Sequence, residues 1–339
     1  MRLLLIGFGT VGQGLAELLV EKEKTLNDQY GFKCTVVGIS DMLKGSVYNN
    51  DGIDLNKALE AVRSKTKLSE LPGGYDGDAL SMIKSAEADM VVEMTYTDIK
   101  TAEPATSHIR AALERGMHVT TTNKGPTALH FHELSKLAGE KGVRFLYEGT
   151  VISGTPLLNL IRETLAGSSI SEIKGILNGT TNYILSRMEE GLSYDDALAK
   201  AQELGYAEAV PDADVLGWDA LAKVTILANA VFGAKCKPDD FPCQGITEIT
   251  AEAIAAAKKK GKRFKLIGKV WHDGNSVRAA VAPEEVDMSH PLAGIMGATN
   301  AVTITTDTLT DVTVVGPGAG KKETGYSVLV DIVAVGGKR

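Results

Sequence analysis

One lysine lies where a buried helix face is expected to be apolar. Between Asp214 and Val231 the apolar residues recur at helical spacing, and one narrow stripe of that helix carries Lys223 between Leu216 and Leu227. An ammonium on such a stripe must be paired with an acid or lose its charge. A lysine placed there can also stabilise negative charge that develops on a carbonyl oxygen and give that oxygen a proton.

Carboxylates accompany this lysine in the sequence. Asp219 lies four residues earlier and so on the same side of the helix, while Glu208, Asp212 and Asp214 come shortly before it. Two interpretations are open. Asp219 and Lys223 form a structural ion pair whose lysine stem covers apolar surface, or the carboxylates hold a substrate that bears an amine while Lys223 transfers a proton.

A glycine-rich turn forms the second candidate site. Gly7, Gly9 and Gly12 give the pattern G-x-G-x-x-G between the apolar run 3–6 and a helical repeat. In a strand–turn–helix context Gly7 allows the tight turn, Gly9 lets a pyrophosphate approach, and Gly12 lets the helix pack on the strand. The helix N-terminus adds N–H groups and a positive dipole end. The pattern predicts dinucleotide binding, with a turn that binds no ligand as the alternative.

The residues after the second predicted strand bear on the choice of dinucleotide. In this fold an acid at the end of that strand favours the ribose 2′-hydroxyl of NAD, whereas a nearby base favours a 2′-phosphate. Ser40 and Asp41 are followed by Lys44, so the signal is mixed. Asp41 tips the prediction towards NAD.

Strands and helices are predicted to alternate over residues 1–148. Apolar runs predict strands at 3–6, 34–39, 89–93, 117–121 and 144–148. Pro104 and Pro126 each open a helix, residues 21–30 are a helix extension and a loop, and the polar stretch 42–78 holds one helix at 55–63. This alternation predicts an α/β, Rossmann-type, doubly wound parallel sheet as the dinucleotide-binding domain. Ligands bind at the carboxyl ends of such strands, where Thr95, Lys124 and Glu148 lie.

Residues 149–317 show a different pattern, which predicts a mixed α+β domain that holds the substrate. Its predicted helices are one capped by Thr155-Pro156, one that follows a turn at 178–182 and runs through Arg187, and three at 195–204, 214–231 and 251–260. Its predicted strands are 170–177, 264–270, 276–280, 301–305 and 312–315. A last helix at 324–333, within 318–335, is expected to return to the first domain.

The overall composition excludes several classes of protein. The net charge of −7 argues against a nucleic-acid partner, which requires a basic face. No apolar stretch approaches the ~20 residues of a membrane span. Three cysteines without a C-x-x-C pattern fit a reducing, cytoplasmic location.

Several blocks of the chain resemble homoserine dehydrogenase in order and spacing. They are 7–12 (GFGTVG), 121–124 (TTNK), 147–151 (YEGTV), 178–185 (NGTTNYIL), 205–208 (GYAE), Asp214, 217–220 (GWDA) with Lys223, and 316–320 (GPGAG). The block NGTTNY together with the Asp219/Lys223 helix is the most specific of these. The resemblance covers essentially the whole chain.

The resemblance implies NAD(P)-dependent interconversion of L-homoserine and L-aspartate 4-semialdehyde, a step of threonine, methionine and isoleucine biosynthesis. It also implies a homodimer with the active site between two domains. Lys223 is the implied acid/base, Lys124 is a second candidate for that role, and Asp219 orients Lys223. The implied substrate-binding residues are Glu208, Asp214, Asp219, Lys124, Thr181, Gly205 and Tyr206. The implied cofactor-binding residues are Gly7, Phe8, Gly9, Thr10, Val11, Gly12, Ser40, Asp41, Thr95, Lys124 and Gly318. The domain 149–317 is the implied dimerisation domain.

The family also binds a monovalent cation such as Na⁺, largely through backbone carbonyls, in a loop that matches Glu148, Val151, Ser153 and Thr155. An ordinary strand-to-helix turn is the alternative there. The chain departs from longer family members because no aspartokinase domain precedes it and no regulatory domain follows, which puts feedback control by threonine in doubt. Two other functions are weighed against this one: a nicotinamide oxidoreductase for a different semialdehyde or amino alcohol, and a redox-sensing dinucleotide-binding protein without catalysis.

Overall fold

The fold of residues 1–338 is described by a computed structural model. The strands are β1 (Arg2–Ile6), β2 (Thr35–Asp41), β3 (Gly45–Tyr48), β4 (Gly74–Tyr75), β5 (Met90–Glu93), β6 (His118–Thr121), β7 (Phe145–Leu146), β8 (Ile170–Ile176), β9 (Lys262–Asp273), β10 (Ser276–Asp287), β11 (Thr299–Thr306) and β12 (Thr310–Pro317). The helices are α1 (Thr10–Tyr30), α2 (Leu55–Arg63), α3 (Ala79–Ser85), α4 (Ala105–Glu114), α5 (Lys124–Leu129), α6 (Phe131–Glu140), α7 (Gly179–Glu189), α8 (Tyr194–Glu203), α9 (Asp212–Val215), α10 (Trp218–Ala230), α11 (Ala251–Lys259) and α12 (Lys321–Gly336).

The chain divides into two compact units. The first unit contains Met1–Gly154 and the chain from Gly320 onward, and the second unit contains Thr155–Ala319. No helix within residues 1–338 is long and apolar enough to cross a membrane.

The first unit is built on a seven-stranded sheet in the order β4-β3-β2-β1-β5-β6-β7. Strands β2, β1, β5, β6 and β7 are parallel. The central strand is apolar on both sides: Leu3 and Leu5 pack in one core, Leu4 and Ile6 in another, and all four are fully buried. Helices therefore cover both faces of the sheet, and the predicted α/β class with a Rossmann-type, doubly wound sheet is confirmed.

Helix α12 closes one face of this sheet by packing on α1. The two helices approach so closely that a Cβ at Gly14 would lie 2.1 Å from the carbonyl oxygen of Lys321. Helix α12 also packs on β6, where the Thr120 hydroxyl donates to the fully buried carboxylate of Asp331 at 2.8 Å. The C-terminal helix is thus part of the core of the first unit.

The second unit is built on a five-stranded antiparallel sheet in the order β10-β9-β8-β11-β12. Helix α10 packs on β9 and β10. The approach requires a glycine in the sheet, because a Cβ at Gly268 would lie 2.8 Å from a methyl carbon of Val224. This close packing explains why α10 is apolar on nearly every side and why a lysine on it is noteworthy.

The structure corrects the predicted helix 214–231. Gly217 adopts a left-handed conformation (φ 85°), which ends the short α9 and starts α10 at Trp218. A glycine in this conformation resets the helix direction. Leu216 is therefore not on the same stripe as Lys223, whereas Ala220 and Leu227 belong to α10 with it.

Other predicted boundaries were also wrong. Residues 178–182 are not a separate turn but the cap and first turn of α7, because the Asn178 side chain accepts from the N–H of Thr181. Helix α5 begins at Lys124, not at Pro126, since the first turn of a helix tolerates proline. The Thr155 hydroxyl donates to the carbonyl of Pro317 rather than capping a helix, and the following helical turn, Leu160–Thr164, is of the π type.

Two segments contain more regular structure than was predicted. Residues 21–30 continue α1, which ends at Gly31 in a left-handed conformation (φ 56°). The polar stretch 42–78 contributes β3 and β4, which add antiparallel to β2 at one edge of the sheet. These strands are short and rich in turn residues, so periodicity does not reveal them.

Candidate active site

The glycine turn of the first unit leaves an open N-terminus on α1. Gly7 has φ 94°, and a Cβ there would lie 2.5 Å from the carbonyl oxygen of Met94. Gly12 supports the turn from the helix, where a Cβ would lie 2.4 Å from the Gly7 oxygen. A Cβ at Gly9, in contrast, would meet nothing within 4 Å, and Gly9 caps α1 without a side-chain hydrogen bond. The N-terminus of α1 is therefore open, as the binding of an anion at the N–H groups of a helix end requires.

Asp41 at the end of β2 joins the glycine turn. Its carboxylate accepts from the N–H of Phe8 at 2.8 Å and from the N–H groups of Leu43 and Lys44 at 3.0 and 2.9 Å. Burial alone would raise the pKa of Asp41, but these backbone N–H groups and the Lys44 ammonium lower it below its usual value. The carboxylate is therefore held ionised beside the turn.

A pocket of about 970 Å³ opens over these residues in the first unit. Gly7, Gly9, Ser40 and Thr95 form part of its wall. Its charged lining residues are Asp41, Lys44, Asp76, Asp78 and Glu103. Four carboxylates against one lysine among the described lining residues make the wall acidic.

Polar side chains at the ends of β5 and β6 form a buried network beside this pocket. Glu93 is fully buried and accepts from the Thr121 hydroxyl at 3.0 Å and from the hydroxyl and N–H of Thr95. The Asn123 amide donates to the carbonyl of Tyr96 at 2.8 Å, and its oxygen caps α5, whose first residue is Lys124. Glu93 and Asn123 were not among the predicted site residues, although each lies where a parallel strand ends.

The second unit assembles a cluster around Lys223. The side chain of Lys223 is 10% exposed, and its ammonium donates to a carboxylate oxygen of Asp219 at 2.7 Å and to the carbonyl of Leu177 at 2.6 Å. The side chain of Asp219 is 17% exposed, so it is also mostly buried. The lysine thus lies on a buried face and is paired, as its position in the sequence predicts.

Asn178 connects the two carboxylates of this cluster. Its side-chain amide donates to Asp214 at 2.6 Å and to the same Asp219 oxygen that pairs with Lys223 at 3.0 Å. Burial raises the pKa of Asp214, and Asp219 adds to this, while hydrogen bonds from Asn178 and the charge of Lys223 oppose it. Asn178 was not predicted as a site residue. Its signal is the N-cap pattern Asn-x-x-Thr, which reveals the cap but not the distant carboxylates.

The remaining predicted substrate residues surround this cluster at different depths. Thr181 is fully buried and donates to Asn178, so it supports the cap. Gly205, Tyr206 and Glu208 are exposed. The Tyr206 carbonyl accepts from the Thr180 hydroxyl at 2.6 Å, which ties this segment to α7. Asp214 and Asp219 are in contact with the cluster, whereas Glu208 lies on the surface.

The loop predicted to bind a cation is strained. Ile152 and Ser153 have φ values of 47° and 52°, which are costly for residues with a side chain. Glu148 is buried, and its N–H donates to Asp331 at 3.1 Å. Within residues 1–338 no group of three His, Cys, Asp or Glu side chains is arranged to hold a metal ion. Gly318, predicted to contact the cofactor, lies against Asn300, so that a Cβ there would clash with its amide oxygen.

Comparisons with known proteins agree over the whole chain. Residues 7–148 match the homoserine dehydrogenase NAD-binding domain, and residues 156–333 match the homoserine dehydrogenase family. The chain is 46% identical to an NAD(+)-dependent homoserine dehydrogenase of Pseudomonas canavaninivorans, over 98% of this chain and 96% of the relative. It is 41% identical to a homoserine dehydrogenase of Methanocaldococcus jannaschii, over 99% and 98% of the two chains.

A solved structure gives the same result. A hyperthermophilic archaeal homoserine dehydrogenase in complex with NADPH superposes with a TM-score of 0.83 at 31% identity, over 98% of this chain and 96% of that one. Identity at this level over both units leaves one conclusion: the chain belongs to the homoserine dehydrogenase family.

Proposed function

We propose that this protein interconverts L-homoserine and L-aspartate 4-semialdehyde with NAD as its preferred cofactor and Lys223 as the acid/base. The observation that carries the proposal is the buried Lys223 ammonium, which Asp219 and the Leu177 carbonyl hold in one place. These two acceptors occupy two of its three N–H groups. The third is left for a substrate oxygen.

The carboxylates give the cluster its preference for an amino-acid substrate. Asp214 and Asp219 lie together around one amide of Asn178. An amino-acid ammonium placed beside them gains two charge-assisted hydrogen bonds. Asp219 also keeps Lys223 oriented, so its role is partly positioning.

The oxidation needs a hydride acceptor and the reduction needs a hydride donor, and a bound nicotinamide would supply both. In the oxidation of homoserine, Lys223 acts as a neutral amine and takes the hydroxyl proton, which makes it an ammonium; in the reduction of the aldehyde, that ammonium stabilises the developing alkoxide and gives the proton back. Lys124 is the second candidate for this work, because it is the first residue of α5 at the carboxyl end of β6.

A test of the acid/base role compares Lys223→Met with Lys269→Met. Lys269 is a partly exposed lysine of the same unit, paired with Glu172 at 2.8 Å. We expect Lys223→Met to bind NAD normally and to lose roughly 10²–10⁴ in kcat, the usual contribution of a general acid or base, while Lys269→Met stays near wild type. Wild-type kcat in Lys223→Met would move the role to Lys124, whose Met variant is measured in parallel.

The preference for NAD is supported by the acidic pocket. The 2′-phosphate of NADP would add negative charge beside Asp41, Asp76 and Asp78, with Lys44 as the one lysine among the described lining residues. The relative from Pseudomonas is named as NAD(+)-dependent, whereas the archaeal structure holds NADPH. We expect a higher kcat/KM with NAD than with NADP, and a smaller ratio in Asp41→Asn. A higher kcat/KM with NADP would show the NAD preference to be wrong.

The substrate is tested by assaying aspartate 4-semialdehyde beside close analogues and following NADH loss. A different preferred aldehyde would favour another nicotinamide oxidoreductase. Absence of turnover with every aldehyde would favour a dinucleotide-binding regulator instead.

Three further properties remain proposals. The strained loop 148–155 supports the binding of a monovalent cation through backbone carbonyls near Glu148, Val151, Ser153 and Thr155. The test is to replace Na⁺ by a bulky organic cation in the activity assay. A homodimer is tested by light scattering of the purified protein. The free thiols of the three cysteines support a cytoplasmic location.

A further inference from the structure

A second buried lysine lies in the second unit, away from the contacts of Lys223. Lys265 on β9 is 1% exposed. Its ammonium donates to the amide oxygen of Asn182 at 2.8 Å and to the carbonyl of Ile295, and it lies 3.7 Å from the sulfur of Met296. These partners are uncharged. A buried ammonium that no carboxylate accepts from is costly to stability, which raises the question of what this lysine does.

The acceptors of Lys265 belong to one polar junction. The side-chain amide of Asn182 donates to the carbonyls of Ile295, Gly297 and Thr299, at 3.3, 2.8 and 3.2 Å. Asn182 has one amide oxygen, and Lys265 occupies it. The lysine therefore fixes which way this amide faces, and the amide in turn fixes the loop 295–299.

The same junction supports the first turn of α7. A Cβ at Gly179 would lie 2.5 Å from the carbonyl oxygen of Ala298, so the loop is in direct contact with the helix start. Asn182 lies one turn further along, and its N–H donates to the carbonyl of Asn178 at 3.3 Å. A displacement of the loop is thus passed to the backbone of Asn178.

Asn178 ends this chain of contacts at the proposed active site, because its amide holds Asp214 and Asp219, and Asp219 holds Lys223. We propose that Lys265 is a positioning residue for catalysis: through Asn182 and the loop 295–299 it sets the position of Asn178 and hence of the Asp214–Asp219–Lys223 cluster. This inference rests on the proposed function. It assigns Lys265 no contact with substrate or cofactor.

The test is a double-mutant cycle of Lys265→Met and Asn178→Ala, with kcat and both KM values measured for active-site-titrated enzyme. Methionine keeps the length of the side chain and removes its donors. We expect Lys265→Met to lower kcat/KM for L-homoserine about tenfold or more, since a misplacement of about 1 Å can cost about a hundredfold. KM for NAD should stay unchanged, because the glycine turn belongs to the other unit.

The cycle separates positioning from general stability. In the Asn178→Ala background Lys265→Met should have little further effect, because the path to the carboxylates is already broken. Multiplicative effects of the two variants, or a Lys265→Met enzyme with wild-type kcat/KM, would overturn the proposal. A purely structural role would reduce the amount of folded enzyme and leave kcat/KM per active site unchanged.

Two further variants complete the design. Lys265→Gln keeps a hydrogen-bond donor on a shorter side chain and should recover part of the lost kcat/KM. If Lys265→Met does not fold, Lys265→Gln is measured in its place. In that case a wild-type kcat/KM of Lys265→Gln overturns the proposal. Lys269→Met, four residues along the same strand, is the control for loss of a lysine. Absence of turnover in the wild-type enzyme would refute the proposed function instead, so the two failures are distinguishable.

Discussion

Replacing Lys265 by methionine should change the pH dependence of stability in a way that the structure makes quantitative. Burial, and then the nearby guanidinium of Arg263, lower the pKa of Lys265 from 10.5 to about 8, against the attraction of Glu189. Below about pH 8 the lysine is charged in both the folded and the unfolded chain, and the folded state carries the whole cost of burying the charge. Between about pH 8 and 10.5 the unfolded chain keeps this proton and the folded chain has released it, so stability rises with pH.

The size of this rise follows from the change in proton affinity. At about 1.4 kcal/mol for each tenfold change, the lowered pKa corresponds to about 3 kcal/mol. Lys265→Met lacks the titrating group. Its free energy of unfolding relative to wild type should therefore fall by about 3 kcal/mol between pH 7 and pH 10.5. The absolute difference at pH 7 is less informative, because methionine also leaves the acceptors on Asn182 and Ile295 without their donor.

Urea denaturation followed by tryptophan fluorescence measures the difference in free energy of unfolding between Lys265→Met and wild type in the second unit. The two tryptophans of the chain, Trp218 and Trp271, both lie in the second unit with Lys265, so their signal reports the unfolding of that unit. Lys269→Met is the control; it loses a partly exposed ion pair with Glu172 and a cation–π contact with Trp271, which together should change the free energy by about 1–2 kcal/mol. A difference between Lys265→Met and wild type that does not vary with pH would refute the reasoning.

The remaining predictions concern the cluster and the glycine turn. Asp214→Asn should raise the melting temperature at pH 7, because burial raises the pKa of Asp214 and the folded protein is destabilised by holding this carboxylate ionised. This cost appears as the pH rises above 3.8, so the gain in melting temperature should vanish towards pH 4. Calorimetry measures both, and a lower melting temperature of the variant at pH 7 would contradict the prediction. Gly12→Ala should destabilise the protein by about 1–3 kcal/mol, because its Cβ meets the Gly7 oxygen. Gly9→Ala should leave the melting temperature unchanged and weaken NAD binding, measured by titration; normal binding would show that the space at Gly9 is not used by the cofactor.

The parts of the site that depend on short-range spacing could be predicted from the sequence. Asp219 and Lys223 are one helical turn apart, so their pairing follows from helix geometry alone. The glycine turn is likewise local, because strand, turn and helix follow one another within a few residues. For the same reason the parallel strands β1, β2, β5, β6 and β7 were predicted to within a few residues, whereas the short elements β3, β4 and α3 were not predicted.

The contacts that join distant segments could not be predicted in this way. Asn178 reaches Asp214 and Asp219 from 36 and 41 residues away, and Lys265 reaches Asn182 across 83 residues. An N-cap asparagine and a lysine on a strand each have an ordinary local explanation, so the sequence gives no reason to connect them. The break at Gly217 was missed because helical periodicity on both sides hides a single left-handed residue.

Helices α1 and α12 are far apart in the sequence but pack together in the first unit, and this constrains the order in which the two units can fold. Helix α12 lies on α1, the backbone N–H of Lys338 donates to the carbonyl of Tyr30, and a Cβ at Gly336 would touch the side chain of Met1. Because α12 follows the whole of Thr155–Ala319 in the chain, the segment Met1–Gly154 lacks its closing helix until the second unit has been translated, whereas Thr155–Ala319 is uninterrupted and can finish folding earlier. Until α12 has been translated, the face of α1 that it covers therefore stays exposed on the nascent chain.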